Sequence, residues 1–189
     1  MTLMQAVLSP MAGVARLSLF DRTGLNRFDA TPHGFWQSWA ALPFAAGPYL
    51  VGVQGLGRLA AAAGQKPLDL PTTLAIFITA WLTYAVLFIG LAGLLHRQRS
   101  ALPTLMVLNW FSLFQLLLAM PLLLLGGYGV LGESLFSLLY WGLICYLFSV
   151  KLYVLRVALG ATFVQALGLV VVDILVDILV RMAFIRLMY

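Results

Sequence analysis

Long apolar runs separated by short polar segments dominate the chain from residue 35 onward. Because a helix rises about 1.5 Å per residue, about twenty apolar residues are enough to cross the hydrocarbon core of a bilayer. Alternating ten-residue strands, which would indicate a barrel, are absent from the pattern. The pattern predicts an all-α polytopic membrane helix bundle. The five predicted transmembrane helices cover about residues 35–57, 70–95, 101–125, 134–155 and 158–180.

Residues 1–34 differ from these runs and predict a separate N-terminal segment. A narrow polar stripe recurs at helical spacing among apolar residues, at Gln5, Ser9, Ala12 and Arg16. This spacing predicts an interfacial amphipathic helix that lies along the membrane. The polar stretch 21–34 follows as an entry segment, and Thr31 before Pro32 is a typical helix start.

The first predicted span is rich in helix-disturbing residues. Pro43 and Pro48 remove two backbone donors, and several glycines thin one side of the helix. Small residues allow two helices to approach closely. We therefore expect this span to kink near residues 43–48 and to pack against another helix.

Composition excludes an ordinary soluble globule. Of the 189 residues, 63% are hydrophobic and 9% are charged, and the mean hydropathy is +1.03. Soluble domains carry about 25% charged residues. The basic residues that give the net charge of +5 are scattered singly, which suits loops facing anionic headgroups and does not suggest nucleic-acid binding. The single cysteine excludes a disulfide within one chain.

The distribution of basic residues predicts the orientation. Seven lie on the N-terminal side of the predicted topology, namely Arg16, Arg22, Arg27, Arg97, Arg99, Lys151 and Arg156. Four lie on the other side, namely Arg58, Lys66, Arg181 and Arg186. The excess predicts a cytoplasmic N-terminus and a C-terminus on the opposite side of the membrane, with a short basic tail at 181–189. Lys151 and Arg156 are expected to reach the headgroups from the end of the fourth span.

The fifth span carries the most unusual charges. Asp173, Asp177 and Arg181 follow one another at four-residue steps and so share one helix face. About fourteen Leu, Ile, Val and Phe residues favour insertion of this span by about 4–8 kcal/mol, whereas two central aspartates cost about 5–7 kcal/mol. Asp177 can form an interfacial pair with Arg181. Asp173 is deeper, and needs either a partner on another helix or a function.

Three interpretations of the two aspartates can be compared. The first is a structural or assembly role, and the second is the handling of protons or cations by a deep carboxylate. The third, a metal dyad, resembles the D-x-x-x-D end of the CDP-alcohol phosphotransferase signature. The rest of that signature is missing, so we reject this resemblance. Metal and cofactor sites are therefore not predicted.

A second candidate pair lies before the first span. Asp29 and His33 are four residues apart and could act as an acid–base pair at the membrane surface. Such a pair can also simply order the entry to a helix, which Pro32 between them favours. Nucleophile-elbow, zinc-protease, P-loop and dinucleotide-binding motifs are absent, and no enzymatic activity is predicted.

The chain also resembles a family. The FDATPHGFW entry with Phe35 and Trp36, the five closely spaced spans and the QALGLVVVD segment with Gln165 and Ala166 together resemble Yip1-like five-span bacterial inner-membrane proteins. This resemblance implies a role in membrane organisation or protein assembly without catalysis. The leading hypothesis is thus an accessory or scaffold protein whose partners are the bilayer, other membrane proteins or further copies of itself. The alternative is a small transporter or channel that uses Asp173.

Overall fold

The computed structural model describes residues 3–62, 64 and 68–188. Every regular element in these residues is helical, as the sequence predicts. The α-helices are α1 (Leu3–Ser18), α2 (Pro32–Ser38), α3 (Ala41–Ala62), α4 (Leu70–Leu94), α5 (Gln98–Gly127), α6 (Glu133–Ala158) and α7 (Phe163–Met188), and a 3₁₀ helix covers Arg22–Arg27. Lys66, Tyr189 and the side chain of Gln5, which the sequence predictions include, lie outside the described residues.

Four helices in the described part are long and apolar enough to cross a membrane: α4, α5, α6 and α7. They lie over the last four predicted spans. Helix α7 begins at Phe163, later than the predicted start of its span, because Gly160 adopts a φ of +70° that ends the preceding helix. It also continues to Met188, so most of the predicted tail is helical.

The first predicted span, 35–57, has a different structure from the prediction. The helix is interrupted between Ser38 and Ala41, which separates the short α2 from α3, and no single helix spans the whole segment. Pro43 falls in the first turn of α3, where a missing backbone N–H removes no intrahelical hydrogen bond. Pro43 thus lies at the start of α3, and the interruption of the helix lies a few residues before the kink that we expected. Helix α3 is not among the four helices that are long and apolar enough to cross a membrane.

Helix α5 is the centre of the bundle, in contact with α1, α2, α3, α4 and α6. Its first half is almost entirely buried, from Ala101 to Leu113. Helix α3 packs against its second half through glycines. A Cβ atom placed on Gly55 would stand 2.7 Å from the carbonyl carbon of Leu123, and one on Gly127 would stand 2.5 Å from the carbonyl oxygen of Gly55. The small residues of α3 therefore serve a contact within the chain.

Helix α1 packs on the bundle with one face. Val14 and Leu17 are fully buried, whereas Ala12 and Arg16 are exposed, which agrees with two of the predicted polar-face positions. The Tyr146 hydroxyl of α6 donates a hydrogen bond of 2.8 Å to the Ser18 carbonyl at the end of α1. The N-terminal helix therefore has a protein partner on its apolar face.

The polar entry segment is ordered by local caps. Asp21 accepts hydrogen bonds from the Thr23 hydroxyl and the Thr23 backbone N–H, and these bonds, with the hydroxyl contributing most, lower the pKa of Asp21. Thr31 caps α2 by accepting from the Gly34 N–H at 3.3 Å, and Pro32 occupies the first turn. The helix start predicted at this point is confirmed.

Candidate functional site

Asp173 of α7 has a partner on the neighbouring helix. The Lys151 Nζ atom of α6 donates to the Asp173 Oδ2 atom at 2.5 Å, and the two side chains are 11% and 31% exposed. Lys151 does not extend toward the end of α6, where we expected it to reach headgroups. The Asp173 carboxylate on the facing helix gives Lys151 an ion pair and a hydrogen bond inside the bundle.

The ion pair lies well inside the helical hairpin of α6 and α7. Lys151 precedes Ala158, the last residue of α6, by seven positions, and Asp173 follows Phe163, the first residue of α7, by ten. At about 1.5 Å per residue, these positions lie about 10 Å and 15 Å from the ends of their helices. If the hairpin crosses a bilayer, both charges stand in its hydrocarbon region.

Tyr84 of α4 completes this group. The Lys151 Nζ atom lies 4.9 Å from the centroid of the Tyr84 ring, within the range of a cation–π interaction. The Tyr84 hydroxyl is buried and finds no hydrogen-bond partner among the described residues. A buried hydroxyl without a partner costs free energy, so such groups often mark a place where a ligand or water binds.

A cavity of about 420 Å³ adjoins the ion pair. Helices α4, α5, α6 and α7 line it, with a contribution from Tyr49 of α3. Its polar lining consists of Tyr49, Trp81, Tyr84, Asn109, Ser112, Gln115, Lys151, Asp173 and Asp177. The volume falls in the range of small-molecule sites, which are mostly apolar with a few convergent polar groups.

Asn109 fixes one wall of this cavity. Its side-chain oxygen accepts from the Trp81 indole N–H at 3.0 Å, and its amide donates to the Ser38 hydroxyl at 3.0 Å. These bonds join α5 to α4 and α2. Gln115, six residues later on α5, is half-buried and lines the same cavity. The cavity covers a broad face of α5, wide enough to include both residues.

Asp177 and Arg181 extend the charged face of α7 beyond Asp173. Asp177 lines the cavity beside Asp173, and its carboxylate lies 4.0 Å from the Arg181 guanidinium. Both side chains of this pair are largely exposed, at 58% and 42%. Arg181 lines a second cavity of about 930 Å³ between α3, α4 and α7, and Tyr49 lines both cavities. The polar face of α7 therefore runs past two adjacent cavities.

Asp29 and His33 do not form a pair. Asp29 accepts from the Thr31 backbone N–H at 3.2 Å, whereas the His33 Nε2 atom shares a hydrogen bond of 2.8 Å with the Gln37 amide. Both residues are exposed, on the segment before α2 and on its first turn. Their contacts order the entry to the helix and bring neither residue to the two cavities.

Metal-binding groups are not brought together. No group of three His, Cys, Asp or Glu residues that could hold a metal ion occurs in the part of the chain that the structure describes. Comparisons with family models, curated proteins and solved structures each found no match. The Yip1-like resemblance consequently stays a prediction that rests on the sequence pattern alone.

Proposed function

We propose that this protein is a small integral membrane transporter or channel that moves protons or cations past the Lys151–Asp173 ion pair. The observation that carries the proposal is this partly buried pair, which lies beside a cavity with a polar lining. Charged side chains within membrane segments are costly, at about 2.5–3.5 kcal/mol each at the centre of a helix, and commonly mark ion or proton pathways.

The local chemistry suits reversible charge exchange. The Asp173 carboxylate can pair either with Lys151 or with an entering proton or cation, and in the second state the site carries one more positive charge, which the Tyr84 ring and the polar cavity lining would have to stabilise. Asp173 is also the more accessible partner, since its side chain is 31% exposed and that of Lys151 is 11% exposed. A cation or proton that binds Asp173 would release the Lys151 ammonium toward the Tyr84 ring, which lies 4.9 Å away.

The smaller cavity gives access to this site, because both Asp173 and Asp177 line it. The larger cavity is lined by Arg58 and Arg181, whose positive charge disfavours a cation, so it is not part of the path. Tyr49 lines both cavities and would act as the barrier between them. A cavity with a polar lining beside a central carboxylate is an arrangement that gated conduction or alternating access uses.

The finer topology also belongs to this proposal. We place α3 as a fifth crossing beside the four apolar helices, with the cytoplasmic N-terminus and periplasmic C-terminus of a bacterial inner-membrane protein. Without Lys151, which pairs inside the bundle, six basic residues on the N-terminal side against four on the other support this orientation. Fusing a reporter that is active only in the cytoplasm to each terminus tests it, because opposite signals from the two fusions are expected. Equal signals would contradict five crossings.

The flux experiment uses purified protein in liposomes that contain a pH-sensitive dye. A potassium gradient with valinomycin sets the membrane potential, and proton entry is followed by dye fluorescence; sodium and potassium fluxes are measured in parallel. We expect wild-type flux above that of empty liposomes, and loss of this flux in Asp173→Asn. Asp29→Asn is the matched control, because it removes an exposed carboxylate that lines neither cavity.

A double variant separates function from folding. Lys151→Met with Asp173→Asn leaves no buried charge unpaired, so it is expected to fold and yet conduct nothing. Wild-type protein without proton, sodium or potassium flux would overturn the proposal, as would unchanged flux in Asp173→Asn.

The alternative hypothesis is a non-enzymatic accessory or assembly protein, as the Yip1-like resemblance implies. Two sequence features favoured this hypothesis, the small-residue face of α3 and the aspartate within α7. Both have explanations within the chain: the glycines of α3 face α5, and Asp173 pairs with Lys151. We keep it as the second hypothesis. Stable co-purification of one membrane partner, together with absent flux, would favour it.

A further inference from the structure

We propose that the larger cavity, between α3, α4 and α7, binds an anionic phospholipid from the bilayer, with the headgroup phosphate held by Arg58 and Arg181. This site is separate from the Lys151–Asp173 pair and does not depend on ion flux. Its basis is the combination of two guanidinium groups with a long apolar wall in one cavity of about 930 Å³.

The charges of the cavity fit an anion. Arg58 and Arg181 line it, and among its described lining residues there is no carboxylate. Two acids are close to it: Asp177 lies 4.0 Å from Arg181, is 58% exposed and lines the smaller cavity, and Asp69, between the lining residues Leu68 and Leu70, accepts from the Thr72 N–H at the start of α4. Basic pockets between membrane helices are typical binding sites for anionic headgroups, and guanidinium groups suit phosphate because they donate several parallel hydrogen bonds.

Arg58 is held in a suitable position by an aromatic ring. Its guanidinium carbon lies 4.0 Å above the centroid of the Tyr128 ring, at the end of α5. This contact uses the face of the guanidinium plane and leaves the N–H groups at its edge free to donate to phosphate. The side chain is therefore positioned before any ligand arrives, which reduces the entropic cost of binding.

The apolar wall fits an acyl chain. Leu50, Val53, Leu56 and Ile76 lie along the cavity, with Ile185 of α7 on another side. Some polar groups, such as Gln54 and Thr73, also line it. A volume of about 930 Å³ is near the upper end of the range for ligand sites, which leaves room for a headgroup and part of a chain. A small free anion would leave this apolar surface uncovered.

The location also agrees with a lipid. The lining includes Arg58, four residues before the end of α3, and Leu70, the first residue of α4. Arg181 lies seven residues before the end of α7, from where its long side chain can extend toward the headgroups. When α4 and α7 cross the bilayer, Arg58 and Leu70 at the neighbouring helix ends lie near the headgroup level. The arginines would then meet phosphate while the apolar residues face the acyl region.

The test measures lipid binding to delipidated protein in maltoside detergent by native mass spectrometry, with the thermal unfolding midpoint as a second readout. Dioleoyl phosphatidylglycerol is expected to bind and to raise the midpoint, whereas dioleoyl phosphatidylcholine is expected to do so much less. Removing a charge-assisted hydrogen bond weakens binding by about tenfold or more, so Arg181→Gln and Arg58→Gln should each lose about tenfold in affinity. Arg99→Gln, an exposed arginine at the other end of the bundle, is the matched control.

Two further probes identify the source of the phosphate and guard against misfolding. Glycerol 3-phosphate and dihexanoyl phosphatidylglycerol keep the phosphate and lack the long chains, so both should bind more weakly to unchanged wild-type protein. Equal binding of the short-chain or chain-free probe would overturn the lipid proposal. Equal binding of phosphatidylcholine and phosphatidylglycerol, or an equal loss in Arg99→Gln, would overturn the arginine site.

Discussion

Lys151 and Asp173 form an ion pair between two consecutive helices, and each side chain neutralises the charge of the other inside the bundle. Removing one partner of a buried pair leaves an uncompensated charge, which costs about 3–5 kcal/mol. We expect Asp173→Asn to destabilise the protein by nearly this amount, because it isolates the Lys151 ammonium, which is 11% exposed, whereas Lys151→Met leaves a carboxylate that is 31% exposed and should cost less. Reversible unfolding by SDS in mixed micelles measures the change.

The double variant, Lys151→Met with Asp173→Asn, should recover most of that stability, since no charge remains unpaired. Asp177→Asn should change stability by about 0–1 kcal/mol, as expected for an exposed pair. Equal losses in the two aspartate variants would show that the interhelical pair contributes no more than the exposed one.

The sequence predicted where the helices lie along the chain better than it predicted how each helix is rotated about its own axis. Long apolar runs show where α4 to α7 lie, because run length alone decides whether a segment can cross a bilayer. The break at Trp39–Ala40 was not predicted, since a proline such as Pro43 is compatible with both a kink and a helix start. Local sequence does not distinguish these two cases.

The partner of Asp173 was missed for a related reason. Lys151 lies nine residues before Gly160, and Asp173 lies thirteen after it, so an antiparallel hairpin places them at comparable depth. That signal was present in the sequence. The direction in which Lys151 points depends on how α6 is rotated against α7, which packing with α4 and α5 decides. Tyr84 and Asn109 join the site only through this tertiary packing.

Gly55 marks the closest approach of α3 and α5. A Cβ atom at this position would meet the backbone of Leu123, which cannot move aside as a flexible side chain can. We expect Gly55→Ala to destabilise the protein by about 1–3 kcal/mol, the usual cost of overpacking. Gly90→Ala is the control, because Gly90 lies inside α4 with nothing near its Cβ position. This change should stabilise the helix by up to about 1 kcal/mol. The opposite signs are measurable by SDS unfolding, and equal signs would contradict the close contact.

Asn109 is expected to contribute to stability through its two interhelical hydrogen bonds. Such bonds are worth about 0.6 kcal/mol on average in a membrane protein and up to about 1.7 kcal/mol. Asn109→Leu should therefore cost about 1–3 kcal/mol, which includes the Trp81 indole N–H left without its acceptor. Gln115→Leu, a half-buried amide on the same helix, should cost less than about 0.5 kcal/mol. A larger loss in the Gln115 variant would show that the cavity wall depends on that residue instead.

The packing of α1 predicts different effects for two leucines near its end. Leu17 is fully buried, whereas Leu19, two residues later, is 78% exposed. Replacing a buried leucine by alanine costs about 2–5 kcal/mol through lost burial and the cavity that remains, so Leu17→Ala should lower stability by that amount and Leu19→Ala by much less. If α1 instead contacted only lipid headgroups, the two changes would have similar effects on the unfolding of the bundle and would act mainly on membrane attachment of residues 1–20. SDS unfolding of both variants, with protease accessibility of the same segment, distinguishes a helix docked on α5 and α6 from a helix that only lies on the membrane.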